Sequence, residues 1–413
     1  MDSGAWAQQP AGQLAHSHAA LAVTLALALS ALLLRKPGVS SGARRRRHRR
    51  RRAAQADSSA ALADAGTAKA VLAEDPCAVP LLVEARGASA RHSTDSWRRA
   101  LPRRATPAAR ADPARRAELE ERVLRPRAGR AAVEIVSRTW ELPKPKAVTL
   151  LVHGLNGHAR HASNMWTAHT LLNAGFSVVA LDVEGHGLSG GVRGFVPNIE
   201  QDVAGDVAHL LLRTRARYPT LPLFLMGNSM GGLSAALSAL ALQRDGPRAG
   251  ALLSGVVLQC PLIRTAKPPS RLMQLAASAL AVVAPKLPLL PPPPAAAAAA
   301  AARMSLLADE LCYSGRLRVG TGLALLRASA NLASRLADWN VPLLLQHGLD
   351  DALVAPHGSR ELLAAAAATD KTLIEYQAGH NLLAEPATLH AVRKDYLQWL
   401  ETRADASWAS SML

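Results

Sequence analysis

Short apolar runs alternate with longer segments of helical periodicity from about residue 131 to the C-terminus. Several runs are almost continuously apolar, which is typical of strands buried on both faces of a sheet. Their alternation with helices predicts a mostly parallel sheet that helices cover on both faces, an α/β fold. The predicted strands are Ala132–Thr139, Ala147–Val152, Phe176–Leu181, Pro222–Met226, Leu253–Gln259, Pro342–Gln346 and Lys371–Tyr376. The helical candidates are Ala162–Asn173, Ile199–Tyr218, Met230–Gln243 and Thr388–Thr402.

Residues 262–336 interrupt this alternation and contain no predicted strand. A proline-rich run at 287–294 is followed by a run of alanine at 295–302, and these compositions stiffen a chain and favour helix. We expect an inserted helical cap that overhangs the carboxyl ends of the strands. The cap has long apolar stretches and few charges. Most of its apolar residues are expected to pack on the core, and some to face the cleft above the carboxyl ends of the strands.

The first 130 residues differ from the rest in charge. The chain carries 48 Lys and Arg against 31 Asp and Glu, a net charge of +17, and residues 1–130 hold 24 and 11 of these. Because the basic excess belongs to this arm, and no aromatics interleave with its arginines, nucleic-acid binding is not indicated. Residues 53–130 predict a low-complexity, mostly disordered linker, with one helix at 111–124 that begins at Asp112. The folded domain is expected over residues 131–413.

An uncharged apolar run at residues 19–34 precedes an arginine tract at 44–52. The run approaches the ~20 residues that a membrane span needs, and basic residues stay on the cytoplasmic side of a span. Residues 1–52 therefore predict a single membrane anchor, with the C-terminal domain in the cytosol and the arginines against anionic headgroups. The alternative is a cleaved targeting peptide for a plastid or the secretory route, because residues 41–43 are small and the following stretch is rich in Ala, Arg and Ser.

Residues 227–232 read GNSMGG and lie between a predicted strand and a predicted helix. A G-x-S-x-G motif in this context places the serine on a sharp turn at the edge of the sheet, and Ser229 is therefore the candidate nucleophile. The helix N-terminus offers N–H groups to a developing oxyanion, so the Met230 N–H is one candidate donor. The second candidate is the Leu155 N–H, on the loop that follows the strand Ala147–Val152.

A serine hydroxyl needs a base and an orienting acid, which follow it in the order acid, then histidine, on this kind of sheet. Asp351 and His380 each follow a predicted strand, so both reach the same edge as Ser229 and are the candidate acid and base. His347 is the rival base, but it lies before the loop glycine and nearer its strand. His153 is interpreted as a residue that holds its own loop by hydrogen bonds.

Five motifs occur in order along the chain. They are 152–158 (VHGLNGH), 181–189 (LDVEGHGLS), 227–232 (GNSMGG), 347–356 (HGLDDALVAP) and 379–385 (GHNLLAE). On these motifs the chain resembles the α/β-hydrolase superfamily, in particular monoacylglycerol lipase-like and lysophospholipase-like serine hydrolases, over about residues 138–400. It looks most similar to plant and algal members, through residues 153–156 and 191–197. The second motif is interpreted as structural. The acidic residues Asp202 and Asp206 are interpreted as either structural or solvated.

The resemblance implies a serine hydrolase that cleaves carboxylic esters, most simply a monoacylglycerol lipase or lysophospholipase, with no metal or organic cofactor. The chain departs from the family at Asn228, where histidine is usual, and at Gly157 and residues 160–162, which leaves the substrate open. An acyltransferase, a hydrolase of phenolic esters, thioesters or peptides, and a non-catalytic membrane adaptor are the alternatives. The three cysteines (residues 77, 260 and 312) exclude a disulfide scaffold and lack metal-type spacing.

Overall fold

The computed structural model describes residues 118–244, 252–290, 309–384 and 386–411. The strands, β1 to β10, are Glu118–Arg127, Arg130–Trp140, Ala147–Val152, Phe176–Asp182, Leu223–Asn228, Gly255–Gln259, Pro288–Leu290, Leu317–Arg318, Leu343–Gly348 and Lys371–Tyr376. The helices, α1 to α7, are Ala162–Asn173, Ala204–Arg217, Met230–Arg244, Arg271–Val283, Val319–Ala333, Pro356–Ala365 and Pro386–Ser411. A π-helical turn, Ile199–Val203, leads into α2. The predicted anchor, the arginine tract and the proline–alanine run lie outside the described residues.

One eight-stranded sheet organises the domain, in the order β1-β2-β4-β3-β5-β6-β9-β10. The six strands from β4 to β10 in this order run parallel, and β1 and β2 add an antiparallel hairpin at one edge. One face packs on α2, α3 and α5, and the other on α1 and α7. The mostly parallel sheet covered by helices is confirmed, and β3, β10 and α1 have the predicted bounds.

Strand β1 corrects the sequence prediction at the N-terminal side of the domain. The structure places a strand over Glu118–Arg127, where the sequence predicted the end of a helix and a linker that continued to residue 130. The residues that point inward from β1 include Glu121, Arg125 and Arg127, and they alternate with the exposed residues Arg122, Leu124 and Pro126. Because the inward face is largely charged, the period-two apolar pattern of a strand is missing from the sequence. The folded domain therefore extends at least to residue 118.

Buried ion pairs join this hairpin to the rest of the domain. The Arg127 guanidinium, 2% exposed, donates to Glu184 at 2.9 Å and to Asp206 at 2.5 and 3.0 Å. Arg130 binds Glu184 and Asp202, each at 2.6 Å at the closest atoms. Asp202 and Asp206 are therefore structural, as the sequence indicated, and their partners are arginines from the segment that was interpreted as linker.

The cap lies between β6 and β9 and includes α4, the short antiparallel pair β7–β8, and α5. The pair β7–β8 corrects the prediction that this region contains no strand. The apolar residues of α5 pack on the core, with Leu323 and Leu332 buried. In α4, by contrast, the apolar residues Leu272, Leu275 and Val282 are 71%, 68% and 80% exposed. The prediction that most apolar residues of the cap pack on the core is therefore wrong for this helix.

No helix within the described ranges is long and apolar enough to cross a membrane.

Candidate active site

The turn between β5 and α3 holds Ser229 in a left-handed backbone conformation, with φ at +55°. A left-handed residue other than glycine is rare and marks a turn that its surroundings fix. The flanking glycines are required by close approach of backbone atoms. A methyl group on Gly227 would collide with the Gly231 carbonyl, and one on Gly231 would collide with the Val152 carbonyl. The turn therefore places Ser229 at the carboxyl edge of the sheet, as the motif predicts.

Three side chains from different loops meet at this edge and form a connected set. The His380 Nε2 atom lies 3.0 Å from the Ser229 Oγ atom, and the His380 Nδ1 atom lies 2.6 Å from Asp351 Oδ2. Asp351 is buried, whereas the His380 side chain is 21% exposed. The structure thus brings together all three residues that the sequence predicted. The neighbouring Asp350 points elsewhere and accepts a hydrogen bond from Gln377 at 2.5 Å.

Hydrogen bonds from several donors keep the Asp351 carboxylate ionised. Its Oδ1 atom accepts from the Leu353 and Val354 N–H groups, each at 2.9 Å. Burial by itself would raise the Asp351 pKa, but hydrogen bonds from His347 and His380 outweigh burial and hold the pKa well below its usual range. An ionised carboxylate at this position accepts the Nδ1–H of His380. The remaining nitrogen of His380 therefore presents its lone pair to the Ser229 hydroxyl.

His347, the rival base, contacts Ser359, Val354 and Asp351 rather than Ser229. It is fully buried, with its Nδ1 atom 2.7 Å from Ser359 Oγ and its Nε2 atom 3.3 Å from Asp351 Oδ2. The sequence interpretation that His380 is the base is supported by this placement. The contact of His347 with Asp351 was not predicted.

The loop after β3 passes directly beside the nucleophile. A methyl group on Gly154 would stand 3.4 Å from Ser229 Cβ and 3.1 Å from Asn228 Oδ1, so the loop approaches the turn closely at this glycine. Leu155 follows at once, and its side chain packs against the core. The Met230 backbone begins α3, one residue after Ser229. Both predicted oxyanion donors thus belong to segments that adjoin Ser229.

Buried His153 fixes the start of this loop. The Val183 N–H donates to His153 Nε2 at 3.0 Å, which places the ring proton on Nδ1, and Nδ1–H donates to the Gly154 carbonyl at 2.8 Å. Burial lowers the pKa of His153 to about 4, so the ring is neutral near pH 7. The interpretation that His153 holds its loop by hydrogen bonds is confirmed.

The second motif is also structural. The buried Asp182 carboxylate accepts from the Ala159 N–H at 2.7 Å, the Leu188 N–H at 2.8 Å and the Arg138 guanidinium at 3.0 Å. Ser189 Oγ accepts from Val136 N–H at 2.8 Å. These bonds tie the loops after β3 and β4 to the hairpin. Burial lowers the pKa of His186 to about 3, which keeps this ring neutral.

The sequence did not predict a contact between the cap and the loop after β3. His158 Nε2 lies 2.7 Å from Asp309 Oδ2, and the Tyr313 N–H donates to the Asn156 carbonyl at 3.3 Å. The two segments are far apart in the chain, so spacing gives no signal for this pairing. The contact joins the cap to the loop that carries Leu155.

Within residues 118–411, in the ranges that the structure describes, two groups of three side chains have donor atoms close enough to hold a metal ion, within 4.8 Å of one another. They are Cys260, His347 and Asp351, and His158, Asp309 and Cys312. In each group the histidine Nε2 atom already faces a carboxylate oxygen at hydrogen-bond or ion-pair distance. In the second group the Arg160 N–H donates to His158 Nδ1 at 3.2 Å, which leaves the proton on Nε2. These hydrogen bonds compete with metal binding.

Comparisons with known proteins identify the family of the chain. Residues 143–387 match the family described as serine aminopeptidase, S33. Monoglyceride lipase of Homo sapiens is 31% identical over 271 residues, 65% of this chain and 86% of the human protein. Monoacylglycerol lipase of Mycolicibacterium smegmatis is 30% identical over 279 residues, 66% and 95% of the two chains. The crystal structure of monoacylglycerol lipase from Paleococcus ferrophilus, 24% identical, covers 65% of this chain and 99% of its own with a TM-score of 0.55, which supports the fold. The chain therefore belongs to the serine aminopeptidase S33 family of α/β-hydrolases and is a serine ester hydrolase similar to monoglyceride lipases.

Proposed function

We propose that this hydrolase cleaves monoacylglycerols or lysophospholipids, with Ser229 as nucleophile, His380 as base and Asp351 as the orienting acid. The observation that carries the proposal is the unbroken path of hydrogen bonds from Ser229 through His380 to the buried Asp351. A hydroxyl is a weak nucleophile without such a base. A non-catalytic adaptor would not need all three side chains in contact.

The geometry gives the direction of each proton transfer. The Ser229 hydroxyl donates to His380 Nε2, and its oxygen attacks the ester carbonyl as the proton moves to the imidazole. Asp351 stabilises the imidazolium that forms. His380 then returns the proton to the leaving alcohol, which leaves an acyl group on Ser229. A water molecule that His380 activates in the same way releases the fatty acid.

The Leu155 and Met230 N–H groups are proposed to hold the oxyanion of each tetrahedral intermediate. The close approach of Gly154 to Ser229, and the start of α3 immediately after Ser229, support this assignment. Removing one such donor typically costs about 10²-fold or more in kcat. A bulky residue at Gly154, which closely approaches Asn228 and Ser229, would displace the loop and is expected to lower kcat in the same way.

The apolar cap supports a fatty acyl substrate. Helix α4 has no buried residue, and Leu272, Leu275, Val282 and Val283 are exposed, which is unusual for a surface helix unless it meets an apolar partner. Burying each methylene of an acyl chain contributes about 0.8 kcal/mol, or roughly fourfold in binding. The names of the relatives, monoglyceride and monoacylglycerol lipases, agree with such a substrate.

A series of esters from acetyl to stearoyl tests the substrate class. We expect kcat/KM to rise with chain length and then reach a plateau, and Leu275→Glu to reduce the rise while activity on the acetyl ester is retained. Gln274→Glu is the matched control, because it adds the same charge at a polar, exposed position of the same helix. A profile that is flat or falls from the acetyl ester upward would favour a phenolic-ester, thioester or peptide substrate. Acyl transfer to an added alcohol in place of water would identify a transferase.

We also propose that residues 1–52 attach the enzyme to a membrane, with the catalytic domain in the cytosol. The apolar run 19–34 and the arginine tract 44–52 support this assignment. Full-length protein is expected to remain with membranes at high salt, and protein without residues 1–52 to be more soluble and still active. Full-length, uncleaved protein in the soluble fraction at low salt would contradict the anchor. A mature N-terminus near Arg44 or beyond would identify a targeting peptide instead.

A further inference from the structure

The Asp351 carboxylate has two histidine partners on the same oxygen. Its Oδ2 atom lies 2.6 Å from His380 Nδ1 and 3.3 Å from His347 Nε2. Its other oxygen is held by two backbone N–H groups of the same loop. A triad acid needs only one imidazole partner, so His347 is an additional group in direct contact with the acid.

The surroundings of His347 determine which of its nitrogens carries the proton. The Nε2 atom faces Asp351 Oδ2 and the Val354 carbonyl, both at 3.3 Å, and neither can donate a hydrogen. The neutral ring therefore carries its proton on Nε2. The Nδ1 atom lies 2.7 Å from Ser359 Oγ, whose hydroxyl can donate to it. His347 and Ser359 are both fully buried, and this pair connects strand β9, which leads into the loop of Asp351, to helix α6.

We propose that His347 is a positioning residue for the catalytic acid, which holds the Asp351 carboxylate toward His380 and limits how strongly that carboxylate attracts the His380 proton. With Oδ1 fixed by backbone donors and Oδ2 placed between two imidazoles, the carboxylate plane cannot rotate. The Nε2–H of His347 also takes up part of the negative charge on Oδ2. This inference rests on the proposed triad.

Another titratable group beside Asp351 is the buried Cys260 thiol. Burial together with the Asp351 charge raises the pKa of this thiol, which keeps it neutral. Charged residues on α6 form ion pairs with residues of neighbouring segments. These pairs are Arg264 with Glu361 at 2.9 Å and Arg360 with Glu375 at 2.8 Å.

Three variants separate positioning from a merely structural role. His347→Leu removes the donor to Asp351, whereas His347→Gln retains an N–H donor at about the same reach. Ser359→Ala removes the group that fixes the ring. Tyr376→Phe is the matched control, because it removes a buried hydroxyl that bonds Gln346 on the neighbouring strand β9 and Asp395 on α7 without contacting Asp351.

The readouts are kcat and KM on a soluble short-chain ester and the acid limb of the kcat/KM profile against pH. We expect His347→Leu to lower kcat about tenfold because Asp351 is less well oriented. KM should be unchanged, because the fully buried His347 is not accessible to the substrate. The acid limb should move to higher pH by about 0.5 unit, since the carboxylate then attracts the His380 proton more strongly. His347→Gln should bring both kcat and the acid limb most of the way back to the native values. Ser359→Ala should change kcat and the acid limb in the same direction as His347→Leu, but by less.

Tyr376→Phe should leave the acid limb in place even if the protein becomes less stable. An acid limb in His347→Leu that coincides with the native one, or a His347→Gln enzyme as impaired as His347→Leu, would overturn the proposal. Should His347→Leu fail to fold, Ser359→Ala and His347→Gln decide the matter by the same criteria. Failure of the triad itself is distinguishable, because a Ser229→Ala enzyme would then retain its turnover and its labelling by a fluorophosphonate probe.

Discussion

Arg127 tests how the N-terminal hairpin is bound to the domain. Its guanidinium is 2% exposed and bridges Glu184 on the loop after β4 to Asp206 on α2. Arg127→Met keeps a long apolar side chain and removes the charge. Both carboxylates are 3% exposed, so they would remain in a poorly solvated position after the substitution.

The expected loss follows from what remains around the two carboxylates. Breaking a buried ion pair by removing one partner costs about 3–5 kcal/mol. Glu184 keeps Arg130 at 2.6 Å, and Asp206 keeps Arg125 at 2.9 Å, so each carboxylate retains one arginine. The lower end applies, and we expect a loss of about 3 kcal/mol. For a domain of this size, that corresponds to a fall in Tm of roughly 6–12 °C.

Urea and thermal unfolding of the full chain, followed by tryptophan fluorescence, measure this loss. Arg122→Met is the control: Arg122 lies on the same strand and pairs with Glu120 and Glu134 at 2.8 and 2.9 Å, but its side chain is 40% exposed. An exposed pair contributes about 0–1 kcal/mol. If Arg127→Met and Arg122→Met differ by less than about 1 kcal/mol, the reasoning that this network anchors the hairpin is refuted.

Two further predictions address the nucleophile turn and the cap. Gly231→Ala should abolish activity and destabilise the protein, because the added methyl group would collide with backbone carbonyls. Gly205→Ala on α2 is the control: its methyl group would have no neighbour within 4 Å, so the change should be neutral or stabilising by about 0.5–1 kcal/mol. Unfolding curves and esterase assays of the two variants check this. Asp309→Ala should cost about 1 kcal/mol by loss of its bond with His158. Burial opposes ionisation of Asp309, but hydrogen bonds from His158 and a backbone N–H lower its pKa below the reference value of 3.8. The Asp309 contribution is therefore fully present above that pH and lost as pH falls through the lowered pKa, so unfolding curves of native and variant protein should converge only in strong acid.

The strands and the active-site residues could be predicted because their signals are local. The strands β3 to β6 and β9 are buried on both faces, and β10 is half-buried at the edge of the sheet. The apolar residues of these strands stand out from the surrounding turns. Ser229, Asp351 and His380 each follow such a strand, and parallel strands bring their carboxyl ends to one edge. The positions of all three could therefore be inferred without knowledge of any distance.

The features that the sequence did not reveal depend on how segments are arranged in space rather than on a local pattern. Strand β1 turns arginines inward, and only the acids on other loops make that arrangement stable. The exposed apolar residues of α4 have the composition of a packed helix, so the sequence alone indicated burial. His347 and Asp351 are only four positions apart, but their contact depends on the conformation of the loop after β9, which carries Asp351.

The central claim is that Ser229, His380 and Asp351 act as one catalytic unit on a carboxylic ester. The most direct test compares the turnover of a monoacylglycerol by Ser229→Ala, His380→Ala, Asp351→Asn and Asp350→Asn, with unfolding curves to confirm that each variant is folded. Because triad residues act together, each of the first three changes should reduce kcat by ~10³-fold or more. Asp350→Asn should retain most of the activity, since Asp350 bonds Gln377 and not the histidine. Near-native turnover by Ser229→Ala, or a larger loss in Asp350→Asn than in Asp351→Asn, would contradict the account.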